Sequence, residues 1–483
     1  MVHLAQRSRF SAPVFLNALA LLGAAALVSG CAVGPDYHGA PTVAPAATGA
    51  PNFLRAPTEG VSTAPAAAKW WEALNDPELN KLIESALTQS PDIRAAQARL
   101  RQSRAGLRQQ KRNALPSSSA TAAYLHAKIP SSTLDVGDID FYNIGFDATW
   151  EADLFGGQRR AIESAASEAQ AAEADLADAH VQLAAEIAQA YIDLRDEQQR
   201  IALVRRSVEV EDRVLTLTQQ RREQEVASDL EVERVRTQAE NTRAGLIPLD
   251  AQIFQSLDQL AVLTGREPGA LDAELAPAAP LPALPQTVAI ADPATLLRQR
   301  PDIRAAERHI AAKNAVVGQR MADWFPKLTL IGFLGFSGSD VGDLTRSENL
   351  MWLGAPLLQW NALDFGRTRA KVEQARGSLD EVQAKYEATV LRALGDANGA
   401  LSRYGHQRDS VVSLRNVERS ASRSADLTEQ RYRAGTTSAL EWLDAERTRF
   451  SAEQNRIAAD AQLIKDYISL QKSLGLGWQP PAS

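Results

Sequence analysis

Pro91-Asp92-Ile93-Arg94-Ala95-Ala96 returns as Pro301-Asp302-Ile303-Arg304-Ala305-Ala306, and the shift of 210 that relates the two keeps working for more than 170 residues downstream. It carries Pro116 to Pro326, Trp150 to Trp360, Phe155-Gly156 to Phe365-Gly366, Arg159 to Arg369, Ser228 to Ser438 and Gly265 to Gly475. The offset fails only upstream, where Asp76-Pro77 would need Asp292-Pro293. Two copies with so few gaps predict one structural plan executed twice, over 69–290 and over 291–483.

Within the first copy, residues 156–222 are rich in Ala, Glu, Gln and Arg and contain no Pro, while Ile187, Leu194, Ile201, Val208 and Leu215 recur every seven residues. That spacing is a coiled-coil seam. The matching stretch, 366–432, keeps the composition with a weaker heptad at Val390, Ala397, Tyr404 and Val411. A continuous helix over either stretch is roughly 100 Å long, which no compact domain needs. Ser228-Asp229-Leu230-Glu231 and Ser438-Ala439-Leu440-Glu441 both fit the capping box. Each long helix therefore reverses at a tip, 223–229 or 433–438. Gly435 suits the left-handed residue that stops a helix, but the first copy has Glu225 there. Outgoing helices are expected over about 228–264 and 291–325, with the Pro-rich segment from Ala276 to Pro285 as a belt at mid-height.

Between Pro116 and the first long helix, and again after Pro326, the pattern changes. Residues 117–127, 141–150, 327–337 and 350–359 have the length of a tilted membrane-spanning strand. In 141–150, Ile144, Phe146, Ala148 and Trp150 alternate with Asn143, Gly145, Asp147 and Thr149, so one face suits lipid and the other water. The first strand alternates poorly, and Pro356 in the fourth would remove a ladder bond. Trp150, Trp352, Trp360, Phe155 and Phe365 fall at strand ends, where an aromatic girdle belongs. Four strands cannot close a barrel, for which about eight are the minimum, so several copies must share one.

The chain begins with Arg7 and Arg9, a mostly apolar run from Val14 to Val28, and then Ser29-Gly30-Cys31. The run makes roughly 22 Å of helix, short of a bilayer core of ~30 Å, and reads as a signal peptide over 1–30. Small residues before the only Cys in 483 residues resemble a bacterial lipobox, which implies diacylglycerol on the Cys31 thiol and acylation of the new amino terminus. Ala32 stands where an Asp would favour inner-membrane retention, so the outer membrane of a Gram-negative bacterium is implied. Residues 31–68, rich in Ala, Pro, Gly and Thr, are expected to form an extended, lipidated tether.

The lipobox opening into Cys31-Ala32-Val33-Gly34-Pro35-Asp36-Tyr37, the doubled Pro-Asp-Ile-Arg-Ala-Ala, the Trp to Phe-Gly junctions, and Arg431-Tyr432-Arg433-Ala434-Gly435 followed by Leu443-Asp444-Ala445 together resemble the outer-membrane efflux protein family, in its TolC-like lipoprotein branch. The likeness covers essentially the whole mature chain. It implies an α+β membrane protein: a homotrimer whose four strands per chain make a 12-stranded transmembrane β-barrel, continued by a long periplasmic α-helical barrel. The function implied is the outer-membrane duct of a tripartite efflux system, fed by an inner-membrane pump through a periplasmic adaptor protein. The tips, Gln224, Glu225, Val226, Ala227 and Ser228 in one hairpin and Gly435, Thr436, Thr437 and Ser438 in the other, would meet the adaptor. Leu440, Asp444 and Arg447 lie at i, i+4 and i+7 and share one helix face. The resemblance implies that Leu440 and Asp444 form a periplasmic gate where three helices converge, with the Asp444 carboxylates repelling one another and holding a cation or protons. Arg447 would then pair with a neighbouring chain, or else with Asp444 in its own helix. The first copy has Arg234 at the position of Asp444.

Other classes have little support. The formal charge of −7 offers no basic excess for nucleic acid. His3, His38, His126, His180, His309 and His406 are scattered, and Gly335-Phe336-Ser337-Gly338-Ser339 departs from the nucleophile-elbow pattern at its last residue, so neither catalysis nor a metal cofactor is expected. The expected extra group is the covalent lipid on Cys31. The rival readings are a lipid-anchored coiled-coil structural or adaptor protein of the periplasm, which the strands oppose, and a type I secretion duct, whose members more often lack the lipobox.

Overall fold

The computed structural model describes residues 32–128 and 138–478. The expected signal segment 1–30 and Cys31 lie outside the described residues. The first copy runs α1 (Pro77–Gln89), α2 (Pro91–Asn113), β1 (Ser117–Lys128), β2 (Asp138–Ala152), α3 (Gly157–Glu223), α4 (Asp229–Ala244) and α5 (Leu246–Leu263). The second runs α6 (Pro293–Gln299), α7 (Pro301–Ala322), β3 (Lys327–Gly338), β4 (Leu350–Gln359), α8 (Arg367–Arg433) and α9 (Ala439–Ser473). Both long helices, α3 and α8, have 67 residues and start one residue later than the sequence pattern indicates.

The duplication reaches the level of hydrogen bonds. Asp76 and Asp292 each cap a helix with Pro in its first turn. Helix α1 has 13 residues and α6 has 7, a six-residue difference that accounts for the broken offset upstream. The repeated Pro-Asp-Ile-Arg-Ala-Ala then opens α2 and α7, with Ile93 and Ile303 buried. Gly265 and Gly475, at φ +74° and +72°, end α5 and α9 beside the residues that precede these motifs. A Cβ on Gly265 would come within 2.9 Å of the Gln89 carbonyl oxygen, and one on Gly475 within 2.9 Å of the Arg300 Cα. Glycine is required at both for its conformation and for the close approach.

The four strands form one antiparallel sheet in the order β1-β2-β3-β4. Adding 210 to both partners of Ser117 and Thr149 gives Lys327 and Gln359, which are paired, so the two hairpins share one register. The poorly alternating β1 and the Pro-containing β4 both form, with Pro356 opposite Leu330. Opposed residues share a face. One face carries Ala120, Ala122, Ile144, Phe146, Ala148, Leu334 and Phe336; the other carries Thr121, Asn143 and Asp147, with Thr121 donating to the Asp147 carboxylate. Tyr124 stacks on Tyr142 at 4.7 Å towards one end of the apolar face, and Trp150 sits at the other. Eight residues at ~3.4 Å separate Tyr142 from Trp150, close to the ~25 Å band of a transmembrane barrel. The indole of Trp150 donates to the Ala114 carbonyl at 3.0 Å, and that of Trp360 to the Trp324 carbonyl at 3.1 Å: one bond, made once in each copy.

Three expectations need correction. The segment 228–264 is two helices that break at Gly245, because Pro248 in the first turn of α5 has no amide to continue α4. The segment 291–325 divides at Arg300, held extended before Pro301. Finally, 32–68 is not a free extended tether. It contains a short helix at Pro45–Thr48, buries Phe53, and pairs Val61–Ser62 in parallel with Val288–Ala289.

In the heptad seam of α3, Ile187, Leu194 and Ile201 are buried, but Val208 and Leu215 are only half-buried. Ser207, Glu211, Val214 and Thr218 take their place. The buried stripe thus moves to another side of α3 past Ile201. The weaker seam of α8 is buried at Val390, Ala397, Tyr404 and Val411. The belt is tied to the middle of α3, where buried Arg195 donates to the Pro277 carbonyl at 2.9 Å and Gln198 to that of Leu275 at 2.8 Å. The described residues divide into two compact units, one containing the sheet with residues 32–40, 101–128, 138–171 and 307–385, the other 41–100, 172–306 and 386–478.

Candidate functional site

The two hairpin tips end their long helices by the same device. The amides of Glu225 and Val226 donate to the carbonyls of Arg222 (2.9 Å) and Arg221 (2.8 Å); those of Gly435 and Thr436 donate to the carbonyls of Tyr432 and Arg431, both at 2.9 Å. This is the Schellman arrangement, which needs a left-handed residue at the first of each pair. Gly435 adopts φ +74° freely, and Glu225 adopts φ +61° in its place. The departure from Gly therefore leaves the turn intact. Ser228 then caps α4, accepting from the Glu231 amide at 3.3 Å, while Glu231 accepts from the Ser228 amide at 2.8 Å. The second box is half-formed: Ser438 accepts from the Glu441 amide at 3.2 Å, but the Glu441 carboxylate takes the Thr437 hydroxyl instead. Gln224, Glu225, Val226, Ser228, Gly435 and Thr436 are exposed; Ala227, Thr437 and Ser438 are half-buried.

Beyond the turns the tips differ. The second is built on an aromatic pair, Tyr432 stacked on Trp442 at 5.1 Å, in a cluster with Val214, Val235, Ala439 and Leu443. The Arg221 guanidinium lies over the Tyr432 ring at 5.2 Å. The Trp442 indole donates to Glu446 at 3.2 Å, and Arg449 pairs with Glu446 at 2.6 Å. Burial raises the Glu446 carboxyl above its ordinary pKa, against the pull of Arg449. Trp442, Glu446 and Arg449 were not singled out from the sequence, and Tyr432 only as part of the motif that carries the resemblance. The available signal was Tyr432 and Trp442 standing where the first copy has Arg222 and Val232.

The structure brings Leu440, Asp444 and Arg447 onto one face of α9. Leu440 packs half-buried against the aromatic cluster. Asp444 and Arg447 are both exposed and joined to each other within the helix at 2.7 Å. Such an i, i+3 pair is worth about 0.2–0.5 kcal/mol, little enough to exchange for another partner. The counterpart of Leu440, Leu230, is 60% exposed, and that of Asp444 is the exposed Arg234, so only one hairpin presents an acid here. Cys31 is outside the described residues.

The outer membrane efflux protein family matches residues 82–266 and 293–476, one match per copy. The chain belongs to the outer membrane efflux protein family. It is similar to the pyoverdine export outer membrane protein OpmQ of Pseudomonas aeruginosa, at 31% identity over 94% of this chain and 96% of that one. The antibiotic efflux pump outer membrane protein ArpC of Pseudomonas putida is 29% identical over 95% of both chains. Among solved structures, the outer-membrane channel OprN superposes with a TM-score of 0.87 at 35% identity, covering 93% of this chain and all of that one. The open state of the Neisseria gonorrhoeae MtrE outer membrane channel gives 0.82 at 27% identity, over 92% and 98%. This member of the family is therefore an outer-membrane efflux channel of a Gram-negative bacterium, with TolC-like architecture and the family's internal duplication.

Proposed function

We propose that the chain closes as a homotrimer into a 12-stranded barrel and forms the exit duct of a tripartite efflux system, its tips docking a periplasmic adaptor that leads to an inner-membrane pump. The observation that carries this reading is the seam between the two copies. Inside one chain, β2 of the first copy pairs with β3 of the second, Thr149 opposite Ile331 and Trp150 opposite Leu330. At the same junction Phe155 stacks on Phe325 at 4.5 Å. Shifting each partner by 210 repeats that seam between β4 of one chain and β1 of the next, with Gln359 opposite Thr121 and Leu358 opposite Ala122. The residues equivalent to the stacked rings are Phe365 and Leu115, 94% and 61% exposed in the single chain. The outer strands run in opposite directions, so the new seam is antiparallel like the others.

Cysteines test the register directly. Disulfides need Cβ atoms ~3.5–4.5 Å apart, which an opposed pair approaches and a diagonal neighbour at ~7 Å does not. Thr121→Cys with Gln359→Cys, or Ala122→Cys with Leu358→Cys, should give on oxidation a covalent ladder that stops at three chains, whereas Ala123→Cys with Gln359→Cys should not. A ladder that stops elsewhere, or forms only in the shifted pair, overturns the reading.

On the same reading Asp444 and Leu440 form the periplasmic gate, with Arg447 exchanging its own-helix partner for one on a neighbouring chain. Leu440→Ala with Asp444→Ala is expected to raise single-channel conductance in planar bilayers and admit large antibiotics at unchanged trimer yield. Wild-type conductance in that variant refutes the gate. Photo-crosslinkers at Gln224 and Thr437 should capture the adaptor in cells; no capture at either counts against docking at the tips. Cys31 is proposed to carry the acyl chains that add a second membrane anchor to the barrel.

A further inference from the structure

Residues just after the proposed lipid site are held by side chains that neither barrel closure nor gating explains. Arg160, in the first turn of α3, is buried, with its side chain 6% exposed. Its guanidinium donates to the carbonyls of Val33 and Gly34, both at 3.3 Å, and to the Asp36 carboxylate at 2.6 Å, with a further pair to Glu163 at 2.8 Å. From α7, buried Asn314 donates to the Pro35 carbonyl at 2.9 Å. The Val33 amide donates to the Phe155 carbonyl at 3.1 Å, and the Tyr37 hydroxyl to Glu307 at 3.2 Å.

The groove is shaped for backbone. Gly34 has φ +97°, and a Cβ there would sit 2.3 Å from the Gly318 Cα; a Cβ on Gly318 would meet Arg160 Nε at 2.9 Å and the Val33 carbonyl at 3.0 Å. Ala32 lies against Gly156, at the junction where β2 gives way to α3. A buried guanidinium needs its donors satisfied, and Arg160 meets that need largely on residues 33–36, so the cation and the segment hold each other in place.

We propose that Val33–Tyr37 is clamped by Arg160, Asn314 and Gly318 so that the acyl chains on Cys31 enter the bilayer at the strand-to-helix junction, level with the Trp150 and Trp360 girdle. Arg160 is the positioning residue. The inference rests on acylation of Cys31, and the two parts fail separately.

The test uses full-length protein purified from membranes with His38→Cys, an exposed site one residue beyond the clamp, carrying a nitroxide label. One label per chain reports an acylated Cys31. Two labels report a free Cys31 thiol and overturn the lipid part, while the spectrum still reads the clamp. The label should be immobilised, and Arg160→Ala or Gly34→Val should speed its motion several-fold, the double variant no further than either alone. Gly34→Val replaces no residue of a helix and acts by pushing the segment away from Gly318, so it decides the matter if Arg160→Ala fails to fold. In bilayers, both variants should also blur the label's depth relative to the membrane surface. A label as immobile in Gly34→Val as in the parent overturns the clamp.

Discussion

The first hairpin tip and the second share a backbone and differ in almost every side chain that supports it. Their turns are closed by the same two backbone bonds, and each begins its outgoing helix on a Ser cap. Yet Arg222, Val232, Glu233, Arg234 and Arg236 of the first stand where the second has Tyr432, Trp442, Leu443, Asp444 and Glu446. Duplication preserved the geometry that reverses a long helix and released the chemistry on it. One tip became a charged surface. The other carries an apolar knot around Tyr432 and Trp442, which also takes in Val214 and Val235 of the first hairpin.

The largest test of that contrast removes the knot. Trp442→Ala deletes a buried indole and the stack on Tyr432, a change that typically costs about 3–5 kcal/mol. Its counterpart, Val232→Ala, removes two methyl groups for about 1–2 kcal/mol. Amide hydrogen exchange across 430–443 and 220–233 compares the two tips, which share the knot through Val214 and Val235. Protection is expected to collapse in the second tip of Trp442→Ala and to fall modestly in the first tip of Val232→Ala; equal losses would mean that the aromatic knot is incidental.

A smaller effect is expected in the seams of the long helices. Glu211 is buried in α3, accepting from Thr242 at 3.0 Å and Gln238 at 3.3 Å; the second copy has buried Ala421. Burial, helped by repulsion from Asp212, raises the Glu211 carboxyl above its ordinary pKa. The folded state then holds that proton more tightly than the unfolded chain. Stability should therefore rise as pH falls from neutral through the raised pKa, and level off below the ordinary carboxylate range. Glu211→Gln keeps an acceptor for Thr242 and removes the charge, so a gain of about 1 kcal/mol at pH 7 is expected, shrinking as the pH drops. Exchange protection in α4 measured against pH checks it, and a loss at pH 7 would show that the ionised form is stabilised by something else.

Features enforced by single residue types were legible in the sequence. Proline at a first turn, a Ser cap with Glu three residues on, and a fixed offset located both tips, both long helices and all four strands within a few residues. Pairing partners were not legible, because they depend on what a fold brings alongside. Nothing local marked Arg160 as the holder of residues 33–36, or Glu446 as the acceptor for Trp442. The change of buried face past Ile201 depends on what packs beside the helix, which no short window of sequence contains. The segment after Cys31 looked unstructured by composition, yet Phe53 and a two-residue strand pin it down.

The smallest expected effect concerns the one place where the two turns depart in backbone preference. Glu225 occupies a left-handed conformation that costs a residue with a side chain roughly 1–2 kcal/mol and costs Gly almost nothing. Glycine has more freedom to lose on folding, by about 0.5–1 kcal/mol, so Glu225→Gly should stabilise the first tip by at most about 1 kcal/mol. The converse, Gly435→Glu, should destabilise the second tip by a similar amount. The exchange is clean because a Cβ on Gly435 would meet no atom within 4 Å, so only the backbone preference changes. Exchange protection at the Val226 and Thr436 amides, which close the two turns, gives the readout. If Glu225→Gly weakens protection, the Glu225 side chain makes a stabilising interaction of its own, and the first tip is more than a copy of the second with a strained residue in it.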